Sequence, residues 1–273
     1  MNKCAAHAAE CEVTMRKETA YVQSQDNIAT DIYSMWIQTE LAKEAKAGQF
    51  IAVYTKSDAM LLPRPISICE VNGEKDAIRI VYRVAGKGTA EFSWYEAGDE
   101  ITILGILGNG YDLDGIAHME NPPKKAFIMG GGIGIPPMLE LAKEWKGTCD
   151  IILGYRDELF LNNELAAFGN VYIATEDGSA GTKGNVLDAV KENDLKADVI
   201  FACGPMPMLR ALKKYAKEQG IPAYISLEER MACGVGACLG CVCKTTKKDA
   251  HSHVNNARIC TDGPVFLAEE VEI

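Results

Sequence analysis

Cys233-Gly-Val-Gly-Ala-Cys238-Leu-Gly-Cys241, answered by Cys260 after eighteen intervening residues, is the stretch that decides how this chain reads. Three thiols spaced C-x4-C-x2-C with a distant fourth match the plant-type spacing for a [2Fe–2S] cluster. A loop that wraps a cluster must turn tightly and aim backbone N–H groups at the sulfurs, which favours residues that tolerate positive φ and close approach. Gly234, Gly236 and Gly240 provide that freedom, and Ala232 and Ala237 keep the wrap free of bulk. Four cysteines can equally hold a structural zinc ion. Zinc ribbons usually present two CxxC knuckles, whereas Cys260 has no second cysteine within three residues. Iron–sulfur is therefore the favoured reading, with zinc as the alternative.

Upstream of the cysteines, short apolar runs alternate with helical periodicity. Ala126–Met129, Asp150–Tyr155, Val171–Thr175 and Asp198–Ala202 read as buried strands, and Pro136–Trp145 and Pro207–Gln219 as helices, the second stopped by Gly220. Strands alternating with helices imply a doubly wound parallel sheet. Before Asn121-Pro122-Pro123 the pattern is different. Short strands at 20–22, 32–37, 50–54, 66–69, 77–84 and 100–104 are broken by turn residues such as Gln25-Asp26-Asn27, which predicts a small antiparallel barrel. The expected order is an extension over 1–18, a barrel over 19–120, an α/β domain over 121–226 and a cluster-binding segment over 227–273.

Several motifs in this frame suit phosphates. Gly130-Gly131-Gly132-Ile133-Gly134 lies between a predicted strand and a predicted helix, where glycines allow a pyrophosphate to approach and the helix start favours its charge. Pro136 and Pro137 fit a first helical turn. The motif is not GxGxxG, and a glycine-rich turn can be merely a turn. Arg64-Pro65-Ile66-Ser67 opens a barrel strand; Arg64 can grip a phosphate bidentately and Ser67 can donate to a flavin ring or phosphate, although the motif alone favours a plain surface Arg before an edge strand. Gly86-Lys87-Gly88-Thr89 forms a second nest before a short helix. Three such elements suggest two nucleotides. Cys203 ends the fourth α/β strand, the edge where such sheets bind ligands, and reads either as facing a nicotinamide or as an inert buried thiol. Arg156 is followed at once by Asp157 and Glu158, which favours NAD over NADP.

Bulk properties narrow the class. The chain has 273 residues, a net charge of −10 and ten cysteines, with 48% hydrophobic and 24% charged residues. The acidity argues against a nucleic-acid partner. No apolar leader opens the chain and no run approaches a membrane span, so ten cysteines read as metal or redox work in a cytoplasmic protein rather than as a secreted disulfide scaffold. Cys4, Cys11 and Cys243 are expected to be unliganded, Cys69 and Cys149 to be core, and His251 and His253 to be solvated.

Arg64-Pro-Ile-Ser67, Gly86-Lys-Gly-Thr89, Gly130-Gly-Gly-Ile-Gly134 and Cys203-Gly-Pro205 stand in the order found in ferredoxin–NADP+ reductase-like flavoproteins, and the chain resembles that superfamily. Leu227-Glu-Glu-Arg-Met-Ala-Cys233 through Cys260, with Asp262-Gly-Pro-Val-Phe266 and the Thr175–Gly184 loop, is similar to one branch of it, the electron-transfer subunits of class 1B dihydroorotate dehydrogenases. The resemblance implies FAD on the barrel, lined by Arg64, Pro65, Ile66, Ser67, Val81, Tyr82, Arg83, Gly88 and Thr89. It implies NAD at Gly130, Gly131, Gly132 and Gly134 with Cys203 near the nicotinamide, and a [2Fe–2S] cluster on Cys233, Cys238, Cys241 and Cys260. It also implies a partner, a TIM barrel carrying FMN that oxidises dihydroorotate, in a heterotetramer of two plus two.

A TIM barrel needs about 250 residues, and the two predicted nucleotide-binding units already use most of this chain, so the dihydroorotate site belongs to the partner. Two other functions fit part of the pattern. One is another enzyme of the same architecture, such as an NADH:ferredoxin–NADP+ oxidoreductase subunit or an oxygenase reductase. The other is a non-catalytic, zinc-stabilised nucleotide-binding module.

Overall fold

The computed structural model describes residues 15–248 and 253–273. Cys4, His7, Cys11 and His251 lie outside them. Over residues 19–23 buried and exposed positions alternate with the two-residue period of strands: Ala20 and Val22 point inward between exposed Thr19, Tyr21 and Gln23. Six strands result: β1 (Arg16–Ala29), β2 (Ile32–Gln38), β3 (Phe50–Tyr54), β4 (Arg64–Val71), β5 (Ala77–Arg83) and β6 (Glu100–Leu107), with α1 (Lys87–Phe92) between the last two and α2 (Leu113–Ala117) after them. They close an antiparallel barrel in the order β1-β2-β5-β4-β3-β6. Met35, Ile37, Ile68, Ile78, Ile80 and Ile103 fill it completely.

One expected turn is not there. Gln25-Asp26-Asn27 continues β1, and the hairpin turns at Thr30 and Asp31, where Asp31 has φ 58°. Gln25 serves a tertiary contact, and Asn27 braces the hairpin itself. The Gln25 amide donates to the carbonyls of Phe92 (3.1 Å) and Tyr95 (2.8 Å). The Asn27 amide donates to those of Ala29 (3.0 Å) and Ile32 (3.2 Å), where β1 is bulged. Asn and Gln in a strand are tolerated when their hydrogen bonds close elsewhere.

The second unit runs β7 (Lys125–Gly131), α3 (Pro137–Glu144), β8 (Thr148–Tyr155), α4 (Asn162–Leu165), β9 (Asn170–Thr175), β10 (Thr182–Lys183), α5 (Val186–Glu192), β11 (Val199–Cys203), α6 (Met206–Gln219) and β12 (Ala223–Ser226). The parallel strands are ordered β10-β9-β8-β7-β11-β12. Both faces are covered, as continuous apolar strands require. Ala126 and Ile128 of β7 join one core with α3, whereas Phe127 and Met129 join the other with α5 and α6. Gly220, with φ 68°, ends α6.

The last segment holds β13 (Val242–Thr245), β14 (Asn256–Arg258), β15 (Val265–Leu267) and β16 (Val271–Glu272). β14, β13 and β16 make a small antiparallel sheet, while β15 leaves it to pair antiparallel with β12 on the edge of the large sheet. The Leu227 N–H donates to the Pro264 carbonyl (2.9 Å) and the Asn109 N–H to the Gly263 carbonyl (2.6 Å). The cluster segment is thereby stitched to the barrel and to the sheet at once.

Candidate flavin, nicotinamide and iron–sulfur site

The carboxyl ends of β7 and β11 open toward the barrel, and between them lies a cleft of about 940 Å³, at the upper end of small-molecule sites. The barrel lines it with Arg64, Pro65, Ile66, Ser67, Val81, Tyr82, Arg83 and Thr89. The sheet contributes Ile133, Gly134, Pro137, Cys203 and Ser226. The third wall was not anticipated: Leu227, Glu228, Glu229, Arg230 and Met231 form a strap along the cleft that runs directly into Cys233. Leu227–Met231 is visible in the sequence only as a flank of the cysteines, and no spacing shows that it reaches the barrel.

Gly88 and Arg64 are matched. A Cβ on Gly88 would run into the Arg64 guanidinium, so the glycine at the start of α1 leaves the space that this cation occupies. Arg64 donates to the Leu62 carbonyl, and its Nη2 sits 3.5 Å from the Met60 sulfur. Among the described residues no carboxylate pairs with it. Thr89 is less free than expected. Its hydroxyl accepts the Ala85 N–H (2.9 Å) and the Gly86 N–H (3.2 Å), closing the turn that leads into α1. Tyr82 donates to Gln25 Oε1 (2.7 Å), stacks on Tyr33 and lies edge-on to Phe92, so the wall beside Val81 and Arg83 is rigid.

The glycine-rich loop splits in role. Gly134 lines the cleft. Gly130 packs against Ile135 and Gly131 against Met208 and Pro205, contacts that a Cβ would overrun, and Gly132, with φ 52°, faces open space. Of the four glycines, Gly130, Gly131 and Gly134 stand where internal contacts leave no room for a Cβ, and only Gly132 has open space. Cys203 is 8% exposed on the cleft floor, beside Ser226. Burial pushes its thiol up to about 12, the nearby Glu228 adds to this, and a hydrogen bond with Ser226 opposes it. A neutral thiol therefore faces the cleft. Arg156 pairs with Asp157 (3.0 Å), while Glu158 is diverted to accept the Thr30 N–H of the barrel (2.9 Å).

The cysteine loop wraps as its glycines suggest, with one difference. Gly234 and Gly236 take φ of 71° and 77°, but the third left-handed residue is Leu239 (φ 56°), not Gly240. Gly240 instead presents its N–H to Cys238 Sγ at 3.4 Å. Val235 and Cys238 N–H groups point at Cys233 Sγ (both 3.4 Å), and the Gly236 N–H points at Cys260 Sγ (3.2 Å). These donors, the Val235 N–H foremost, hold the Cys233 thiol down to about 6, while burial pushes Cys260 up to about 11. Thiolate ligands need such donors. Cys233 lies beside Cys238 and Cys241 beside Cys260, so the four candidate ligands gather at one end of the cysteine-rich segment. Cys243 is half-buried on β13, and Cys69 and Cys149 are buried in the cores.

The iron–sulfur cluster binding domain of dihydroorotate dehydrogenase B matches residues 228–272. The dihydroorotate dehydrogenase B (NAD+) electron transfer subunit of Fusobacterium nucleatum is 43% identical over 270 residues, covering 95% of this chain and 100% of that one. This chain belongs to that family. The corresponding subunit of Bacillus velezensis is 42% identical over 267 residues, again with 95% and 100% coverage. Among solved structures, the NADH-dependent reduced ferredoxin–NADP oxidoreductase studied for electron bifurcation matches with a TM-score of 0.80 at 28% identity, over 93% of this chain and 89% of that one. A ferredoxin NADP+ reductase from Neisseria gonorrhoeae, with bound FAD and NADP, shares the fold (TM-score 0.62, 17% identity, 78% and 94% coverage). The higher identity to the dihydroorotate dehydrogenase subunits, over their whole length, decides against the bifurcating alternative.

Proposed function

We propose that this chain is the electron-transfer subunit that passes electrons from an FMN-containing, dihydroorotate-oxidising partner, through its [2Fe–2S] cluster and FAD, to NAD+. The observation that carries this reading is the strap Leu227–Met231, which joins the flavin cleft to cluster ligand Cys233 in one stretch of backbone. A flavin exchanges a hydride with nicotinamide and single electrons with an iron–sulfur centre, so it is the converter between the two ends.

The protein's own contributions follow from the walls. Arg64 and Arg83 on the cleft wall would offer positive charge to the FAD phosphates, and Ser67 and Val81–Arg83 would frame the ring. Gly134 would admit the nicotinamide near the sheet edge, by the neutral Cys203 thiol and Ser226. The N–H groups of Val235, Gly236, Cys238 and Gly240 stabilise the thiolate charge of the cluster ligands.

The partner is the TIM-barrel catalytic subunit, in a heterotetramer of two plus two. We place the protein in the cytoplasm. All eight described cysteines are free thiols, which suits a reducing compartment. No helix among the described residues is long and apolar enough to cross a membrane.

Anaerobic purification with flavin, iron and sulfide analysis tests the reading. One FAD, with about two iron and two sulfide per chain, is expected. Dihydroorotate-dependent NAD+ reduction should appear only when the partner is added. Protein lacking both flavin and iron, or activity with dihydroorotate in the isolated chain, would overturn it.

A further inference from the structure

The flavin cleft has one wall on the barrel and one on the sheet, so its width depends on how the two units are held. The residues that hold them do not line it. Strand β4 starts in the cleft at Arg64–Ser67 and ends, beyond it, at Glu70 and Val71. Helix α3 starts in the cleft at Pro137 and lies along β4, carrying Glu140 and Lys143 to that same far end.

There Glu140 accepts the Val71 N–H (2.9 Å) and Lys143 Nζ donates to the Val71 carbonyl (2.5 Å), so one barrel residue is gripped by both its backbone groups. Lys143 also stands 3.6 Å from Glu70 and from Glu140. Alongside, the Arg79 side chain is 10% exposed. Its Nε donates to Ser34 (2.8 Å), Nη1 reaches Glu70 (3.4 Å), and both terminal nitrogens bind the Glu164 carboxylate on α4, Nη2 at 3.2 Å. Trp36 lies beneath the guanidinium.

Surface ion pairs usually contribute little. This set differs because Arg79 and Glu140 are buried and the Arg79–Glu164 pair is bidentate, a geometry that fixes orientation as well as distance. Units joined by a modest interface tend to move against each other unless something prevents it.

We propose that Arg79, Glu140, Lys143 and Glu164 form an interdomain clamp that sets the flavin–nicotinamide distance, and are thus positioning residues for the hydride step. Hydride transfer needs its reacting atoms in near-contact, and a misplacement of about 1 Å costs roughly 100-fold. A loosened clamp leaves every cleft residue in place on its own unit but widens the gap between them. The proposal rests on the reading that NAD(H) meets FAD in this cleft.

The experiment uses the full chain in complex with its partner, as Glu164→Gln and Lys143→Met variants, with Lys143→Arg as the conservative control. Three quantities are read: flavin and iron per chain, amide exchange over residues 66–71 and 137–144, and the rate of flavin reduction at saturating NADH. Expected are unchanged flavin and iron, faster exchange at Val71, and reduction slowed by about 10-fold or more, with Lys143→Arg restoring most of the rate. Faster exchange with a reduction rate within about twofold of the parent would make the clamp merely structural and overturn the proposal. So would unchanged exchange, or loss of flavin in step with the rate. A parent protein whose flavin NADH does not reduce would instead sink the functional reading beneath it.

Discussion

Gly134 is pressed against Cys203 so closely that a Cβ on the glycine would lie 2.5 Å from the Cys203 carbonyl carbon and 2.6 Å from the Gly204 nitrogen. The loop after β7 and the end of β11 are thus in backbone contact at the cleft floor. Gly134→Ala has no flexible side chain to push aside. It is expected to cost about 1–3 kcal/mol of stability, as overpacking does, measured by urea unfolding. It should also raise the KM for NADH while leaving the visible spectrum of the bound flavin intact. An unchanged KM would place the nicotinamide elsewhere.

Gly88→Ala meets a movable obstacle, the Arg64 side chain. Little stability should be lost, but the guanidinium must leave its position above α1. FAD affinity should fall about tenfold, corresponding to roughly 1.4 kcal/mol, by titration of the flavin-free protein. Equal affinity would remove Arg64 from the flavin's partners.

Cys241 is 3% exposed and lies beside Cys260. Cys241→Ser should abolish stable iron incorporation, whereas Cys243→Ser should leave about two iron per chain. Iron analysis with a visible spectrum separates the outcomes. Iron loss in Cys243→Ser would revise the ligand set.

Phe201 is fully buried among Tyr111, Trp145 and Tyr224, with ring centroids 5.4, 5.4 and 5.7 Å away. Tyr111 belongs to the segment that follows the barrel, so this cluster joins the two units through apolar contact. Phe201→Ala should cost about 3–5 kcal/mol by chemical denaturation.

Asp198 accepts the N–H groups of Lys124 and Lys125 (2.9 Å each), and the Lys125 hydrogen bond foremost holds its carboxyl below the usual carboxylate range. A carboxyl depressed in the folded state stabilises it above the unfolded pKa of about 3.9, and that contribution is lost as pH falls through the folded value. Asp198→Asn should therefore lower the urea midpoint at neutral pH and flatten its decline below about pH 4. Parallel pH curves for the two proteins would remove Asp198 from the acid transition.

Much of this protein is local. The alternation of Ala20, Val22 and their neighbours, the β/α succession after Asn121 and the C-x4-C-x2-C spacing each arise from short-range chemistry, in which strand period, helix period and ligand reach leave marks on neighbouring residues. Those marks were enough for a barrel, a doubly wound sheet and a cysteine loop, and they singled out Arg64, Ser67 and Thr89 on the cleft wall, whereas Val81, Tyr82 and Arg83 came only from the family resemblance. What they misjudged was equally physical. Gln25 and Asn27 have turn-like chemistry, yet the Gln25 amide is spent on the distant carbonyls of Phe92 and Tyr95, which no local pattern records, and the Asn27 amide on the Ala29 and Ile32 carbonyls of its own hairpin. The left-handed residue in the cysteine loop is Leu239 because the wrap, not the propensity, sets its φ. The strap Leu227–Met231, the departure of β15 to the large sheet, and the grip of Glu140 and Lys143 on Val71 join residues far apart in the chain. Sequence by itself determined which elements form and where the cysteines and glycine-rich turns fall among them. Only tertiary packing decided which walls face each other, because long-range contacts are chosen by the closing of the whole core and leave no periodic trace along the chain.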